Sequence, residues 1–263
     1  NGSLGYVKEV HVRVGEPPAP FNLPEEPVPS NLNFNQWLGP LNFPAVHYNH
    51  QMCPPIAYPE LKETGDWAVW RYYRETGNGF IGDWGAHHFD IAQAALGMDG
   101  LTPVEYIPAG YNGTKYATMK YTNGQVVTEQ PFREDKPDDK GINFIGEKAW
   151  LKVARGYIEC SDPNLLQKSE QTFAAGEYEV SAPHMQDFIH SVRSRKEPIA
   201  PVEAGASTNI FFCNVNIAHE LGRPVKWDPV TRRYFDDKEA EAHRLYYYEY
   251  RNPYKLPYRD RMI

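Results

Sequence analysis

Residues 77–97 read GNGFIGDWGAHHFDIAQAALG, and two folds compete for them. The first six letters match G-x-G-x-x-G, the loop that seats a dinucleotide pyrophosphate on a helix N-terminus. Such a loop follows a parallel strand covered on both faces. The residues ahead of Gly77 are instead Trp67-Ala68-Val69-Trp70-Arg71-Tyr72-Tyr73-Arg74-Glu75, whose charges do not belong in a doubly covered strand. Asp83 would also set a carboxylate where a phosphate should approach. The glycines are therefore expected to shape a tight entry into a helix over 83–96.

That helix carries the stronger chemical signal. Trp84, Phe89, Ile91, Ala92, Ala95 and Leu96 form a broad apolar face, whereas Asp83, His87 and Asp90 fall at i, i+4 and i+7 on another. A carboxylate one turn before an imidazole can orient the ring, and an imidazole moves protons near neutral pH. The same spacing also describes a helix cap beside a surface histidine. His88 points about 100° away from His87 on a helix, which suits packing or an interface.

Outward from this stretch, composition sets bounds. The 263 residues allow one large domain or two modest ones, and 41% apolar with 14% aromatic residues belongs to a folded protein. Acidic residues outnumber basic ones 34 to 27, a net charge of −7, and the basic ones are scattered. No nucleic-acid footprint results. No run reaches the roughly 18 apolar residues of a membrane span, and no signal peptide opens the chain. A soluble protein is expected, its compartment undecided between bacterial cytoplasm and periplasm. Cys53, Cys160 and Cys213 are odd in number and far apart, so no disulfide framework forms.

Alternation over 6–14 predicts a strand with one buried face. The Pro- and Asn-rich stretch 16–65 reads as an extended excursion. After the helix come six short strand patterns at 104–110, 116–122, 125–131, 142–147, 149–155 and 157–161, with Thr122-Asn123-Gly124 as a hairpin signal. Helices are expected over 184–196 and about 203–221, the second ended by Gly222 and Pro224. From Trp227 on, the chain reads as a polar, tyrosine-rich tail. No repeat or linker interrupts it, and a single α+β domain with a meandering, mostly antiparallel sheet over 1–263 accounts for the whole.

Other candidates lie in the excursion. His47, His50 and Cys53 have a spacing that could gather a metal, but Pro54-Pro55 follows and no fourth ligand is evident, so no metal site is expected. Trp37, Tyr48, Trp67, Trp70, Arg71 and Tyr72 gather flat aromatic faces and a guanidinium, and about half of them are expected to be core. Asp135-Lys136-Pro137 sits in the charged run REDKPDDK and reads as a solvated turn.

GFIGDWGAHHFDIAQAALGMD, with LNFNQWLGPLNFP upstream and GINFIGEKAWLKVARG and PIAPVEAG…NIAHELGRPVKWDP downstream, closely resembles the Gfo/Idh/MocA oxidoreductases, strongest for the sugar-active branch with D-W-G-A-H. NGSLGYVKEVHVRVG resembles that family's crossing from its Rossmann domain into the second domain, as though the chain were the later part of a longer protein. The resemblance implies an open, mostly antiparallel sheet with helices on one face and the other face packed in homo-dimers or homo-tetramers. It implies a sugar or polyol substrate, with Asp83 and His87 as catalytic residues and Trp37, Tyr48, Trp70, Arg71 and Tyr72 around the substrate. The cofactor implied is NAD or NADP, held mainly by the family's own Rossmann domain, which has no counterpart in these residues. Two alternatives stay open: an NAD-dependent glycosidase that works through transient sugar oxidation, and a non-catalytic sheet domain whose tail, about 228–263, serves assembly.

Overall fold

The computed structural model describes residues 2–53, 68–166 and 182–255. Trp67 and the end of the tail lie outside the described residues, as does the start of the helix expected from 184 in its side chains.

The sheet forms because β1 (Val7–Arg13) alternates. Val10, Val12 and Val14 are fully buried while Glu9, His11 and Arg13 point the other way, half-buried. Strands β2 (Glu105–Ile107), β3 (Ala117–Lys120), β4 (Val126–Glu129), β5 (Gly141–Gly146), β6 (Trp150–Ala154) and β7 (Tyr157–Cys160) lie within the six predicted segments to within a residue. With β8 (Val225–Asp228) and β9 (Arg233–Tyr234) from later in the chain, pairing runs β7-β6-β5-β1-β4-β3-β2-β8-β9, and each of these described strand pairings is antiparallel except β1 with β4. Register puts Leu151, Phe144, Val10, Val127, Met119 and Tyr106 in one row across the covered face. Two neighbouring rows on the opposite face carry Trp150, Ile145, Glu9, Val126 and Lys120, and Lys152, Asn143, His11, Thr128 and Thr118. The expected α+β architecture is the observed one.

The covering layer is made by helices. After the five-residue α1 (Phe34–Leu38), the predicted helix arrives in two pieces, α2 (Gly79–Asp83) and α3 (Gly85–Leu96), joined at Trp84. The run therefore begins four residues before the expected start. Gly79 adopts φ +63, and a Cβ there would stand 2.4 Å from the backbone of Pro18, so only glycine permits that entry. Helix α3 ends on left-handed Gly97, whose N–H reaches the Ala94 and Gln93 carbonyls. Further on come α4 (Ala182–Ser194) and α5 (Val202–Leu221), the latter closed by Gly222 at φ 64.

Helices α3 and α5 pack through stacked Phe89 and Phe211, centroids 4.5 Å apart, and Tyr106 of β2 meets the Phe211 edge. Burying Gln93 costs little, because its amide donates to Thr208 and its carbonyl accepts from Tyr121. Asp90, the third member of the polar stripe, accepts from Thr208 at 3.0 Å and so belongs to this seam.

The tail differs from expectation. Val225–Asp228 forms β8 against β2, Arg233–Tyr234 forms β9, and α6 (Lys238–Glu241) follows. Val225 and Trp227 are nearly fully buried, and Trp227, Tyr234 and Tyr246 make a mutual aromatic cluster. Polar letters between the strands hid them, since β8 finds its partner β2 more than a hundred residues earlier and β9 pairs only with β8.

Candidate functional site

The glycines of GNGFIG are filled by the chain's own atoms. A Cβ on Gly77 would strike the Arg71 carbonyl at 2.5 Å, and one on Gly82 the Asn78 side chain at 2.4 Å. The preceding segment Val69–Tyr72 is a 3-10 turn rather than a strand. These residues do not fit a nicotinamide dinucleotide, because no exposed row of backbone N–H groups follows a parallel strand.

Asp83 closes α2 and His87 stands on the first turn of α3, and both are exposed. The Asp83 carboxylate faces Arg71, Nε to Oδ1 3.6 Å, and the described hydrogen bonds include none between Asp83 and His87. The His87 ring meets the edge of Trp84 at 6.4 Å. Arg155, from the β6–β7 turn, lies 4.7 Å over Trp84, so a cation caps the indole beside the imidazole. His88 turns inward, 4% exposed, with Nδ1 3.2 Å from the Arg13 carbonyl. Burial, together with the nearby His87, Arg155 and Lys140 charges, holds its pKa below 6.5 despite that hydrogen bond. The adjacent histidines are thus divided between solvent and core.

The 3-10 turn brings more of the predicted residues to this end. Arg71 lies with its guanidinium 5.3 Å from the Trp70 ring while it faces Asp83, so it braces the carboxylate. Tyr72 stacks on Phe80 of α2 at 4.7 Å. Trp70 and Trp37 are 37% and 38% exposed and line one cavity. Tyr48 sits in the interior, with its ring against the edge of Phe34, which stacks on Trp37. It supports the aromatic group from beneath.

The metal-spaced residues are engaged separately. His47 Nε2 meets the Leu23 carbonyl, His50 Nδ1 meets Glu26, and Cys53 is buried. No cluster of three metal-binding side chains occurs among the described residues, and no described helix is long and apolar enough to cross a membrane. Sequence reasoning missed Arg155, which only the β6–β7 turn brings to Trp84.

A comparison with curated proteins finds no match. Among solved structures, UDP-N-acetylglucosamine 3-dehydrogenase from Acidithiobacillus ferrooxidans is similar over 84% of this chain and 56% of its own, at 13% identity and a TM-score of 0.36. This chain therefore spans little more than half of that protein's length. Residues 19–256 match the family described as "Oxidoreductase family, C-terminal alpha/beta domain". With the fold, the D-W-G-A-H helix and that match together, the chain belongs to the Gfo/Idh/MocA oxidoreductases as their C-terminal α/β domain.

Proposed function

We propose that the chain is the substrate-binding part of an NAD(P)-dependent sugar or polyol oxidoreductase. One observation carries the reading: Asp83 and His87 are both exposed on a helical run whose neighbours Phe89, Ala92 and Ile81 are sunk in the core. A rigid element thus presents an acceptor and a proton-exchanging ring side by side. His87 takes the proton from the reacting hydroxyl, and Asp83, braced by Arg71, accepts a hydrogen bond from a neighbouring hydroxyl. When bound, the nicotinamide supplies hydride acceptance. It is assigned to a separate Rossmann domain, since GNGFIG offers it no cradle. Copies of the chain associate through the open sheet face, where Ile145, Trp150 and Val126 lie among polar groups.

The test is turnover of the enzyme carrying both domains on a sugar identified by cofactor-reduction screening. His87→Ala is expected to lower kcat/KM by about 10²–10⁴-fold, the usual worth of a positioned acid–base group. Near-normal turnover would remove His87 from the chemistry. Free sugar released from a glycoside with no net nicotinamide reduction would replace the redox reading with cleavage.

A further inference from the structure

A cavity of about 340 Å³ is lined by Trp37, Leu38, Leu41, Trp70 and Thr76. Arg71 links its wall to the Asp83 centre, with the guanidinium 5.3 Å from the Trp70 ring and 3.6 Å from the Asp83 carboxylate. Its size is at the lower end of small-molecule clefts, which begin near roughly 300 Å³. Among the described residues no charged side chain lines it. Thr76 already donates its hydroxyl to the Trp70 carbonyl at 2.5 Å, leaving oxygen lone pairs for a ligand. Two half-exposed indoles beside aliphatic groups suit a flat, neutral ring with apolar C–H faces and peripheral hydroxyls.

The chain holds these indoles in place by contacts that α1 could not supply alone, since five residues are too few for a stable helix. Arg251 donates from Nε to the Gly39 carbonyl at 2.7 Å and from its two terminal nitrogens to the Asn35 side chain and carbonyl at 2.6 Å each. The Asn42 N–H donates to the Tyr248 hydroxyl at 2.6 Å. The segment from Tyr248 to Arg251 is therefore a strap across the turn that carries Trp37, and Phe34 stacks on that indole at 5.6 Å.

We propose that this cavity is a second sugar subsite, taking the pyranose ring next to the one at Asp83 and His87, so that the substrate is a glycoside of two or more rings. Arg251 is the positioning residue that keeps Trp37 in the subsite. The assignment of the first ring rests on the function proposed above.

Calorimetric titration of the 263-residue chain tests it, using D-glucose, D-galactose and D-mannose against α- and β-linked disaccharides of each, with AMP as a non-sugar ring. At least one disaccharide is expected to bind about tenfold tighter than its parent sugar, the scale of one good aromatic contact. Trp37→Ala should erase that gain and leave monosaccharide affinity within twofold. Trp37→Phe should keep most of it. Arg251→Ala should reduce the gain with an unchanged melting curve, which a merely structural loss would not do. The proposal is overturned if no disaccharide exceeds its parent, if the gain survives Trp37→Ala, if both affinities fall together, or if AMP alone depends on Trp37. Monosaccharide affinity indifferent to His87→Ala sinks instead the first-ring assignment, and the Trp37 comparison still stands by itself.

Discussion

Gly79 combines two constraints that are separable by mutation. Its φ of +63 disfavours any side chain, and the Pro17-Pro18 backbone occupies the space a Cβ would need. Gly97 has φ +69 with nothing within 4 Å of its would-be Cβ. Gly97→Ala is therefore expected to cost about 1 kcal/mol from backbone strain alone, whereas Gly79→Ala should cost at least about 3 kcal/mol because the proline segment must move. Urea unfolding of the two variants measures the difference. Equal losses would mean that the entry to α2 can shift freely.

His88 supplies the pH dependence at the same scale. Its pKa lies below 6.5 in the folded chain because burial penalises the charged ring. The unfolded chain then binds the proton more readily. Its contribution to stability is fully present above pH 6.5 and is lost as pH falls through the lowered folded value. His88→Gln keeps a polar group near the Arg13 carbonyl without this titration, so its stability should fall less between pH 7 and pH 5. Parallel denaturation profiles for the two proteins over that range would rule the effect out.

At the scale of elements, one carboxylate serves two roles between the end of α5 and the start of α6. Asp237 accepts from both terminal nitrogens of Arg223, at 2.6 and 2.8 Å, and caps α6 by accepting from the Ala240 N–H. Glu239 also reaches Arg223 but is 68% exposed. Asp237→Ala removes a cap and a bidentate pair and is expected to cost about 1–2 kcal/mol, against about 0.5 kcal/mol or less for Glu239→Ala. Thermal melts decide between them. A larger loss for Glu239→Ala would show that charge, not capping, joins these elements.

The same elements show what was legible in the chain. Strand β1 was plain because Val10, Val12 and Val14 alternate with polar residues over a covered face, and α5 because its glycine stop stands where its apolar run ends. Helix α2 was not, since GFIGD has glycines where helix formers are expected and is held by tertiary contacts with Pro17-Pro18, Tyr72 and Phe212. Strands β8 and β9 were hidden for a different reason: Trp227 and Tyr234 look like tail aromatics until β2 is beside them. At the site, Asp83 and His87 were visible as a spacing. The 100° between His87 and His88 likewise marked the second for packing, whereas the Asp83–Arg71 contact depends on how the 3-10 turn approaches the helix, which no local pattern encodes.

For the molecule as a whole, the sheet poses the remaining physical question, because α3 and α5 lie on one face only. The opposite face is neither a clean polar surface nor a core. Lys120 pairs with Glu105 at 2.9 Å and Lys152 with Glu159 at 3.6 Å across strands, so these charges neutralise one another, and within β1 the His11 ring meets Glu9 at 2.7 Å. Between them stand Trp150, under the Lys152 ammonium at 4.6 Å, Ile145 and Val126, none of which packs on the main core. Internally paired charges and a few large apolar groups on an uncovered sheet face suit a two-fold contact with an identical face, where each row can meet its copy without net repulsion. The 263-residue chain is therefore expected to sediment as a dimer or tetramer at micromolar concentration. Trp150→Glu should return it to a monomer, since a fourth acidic group among Glu9, Glu105 and Glu159 repels its own copy and removes the central apolar anchor. Because Trp150 lies outside the core, the variant should unfold at nearly the same urea concentration once dilution is matched. Sedimentation velocity on both proteins is the measurement. A monomeric parent, or an oligomer indifferent to Trp150→Glu, would move the contact elsewhere on the molecule.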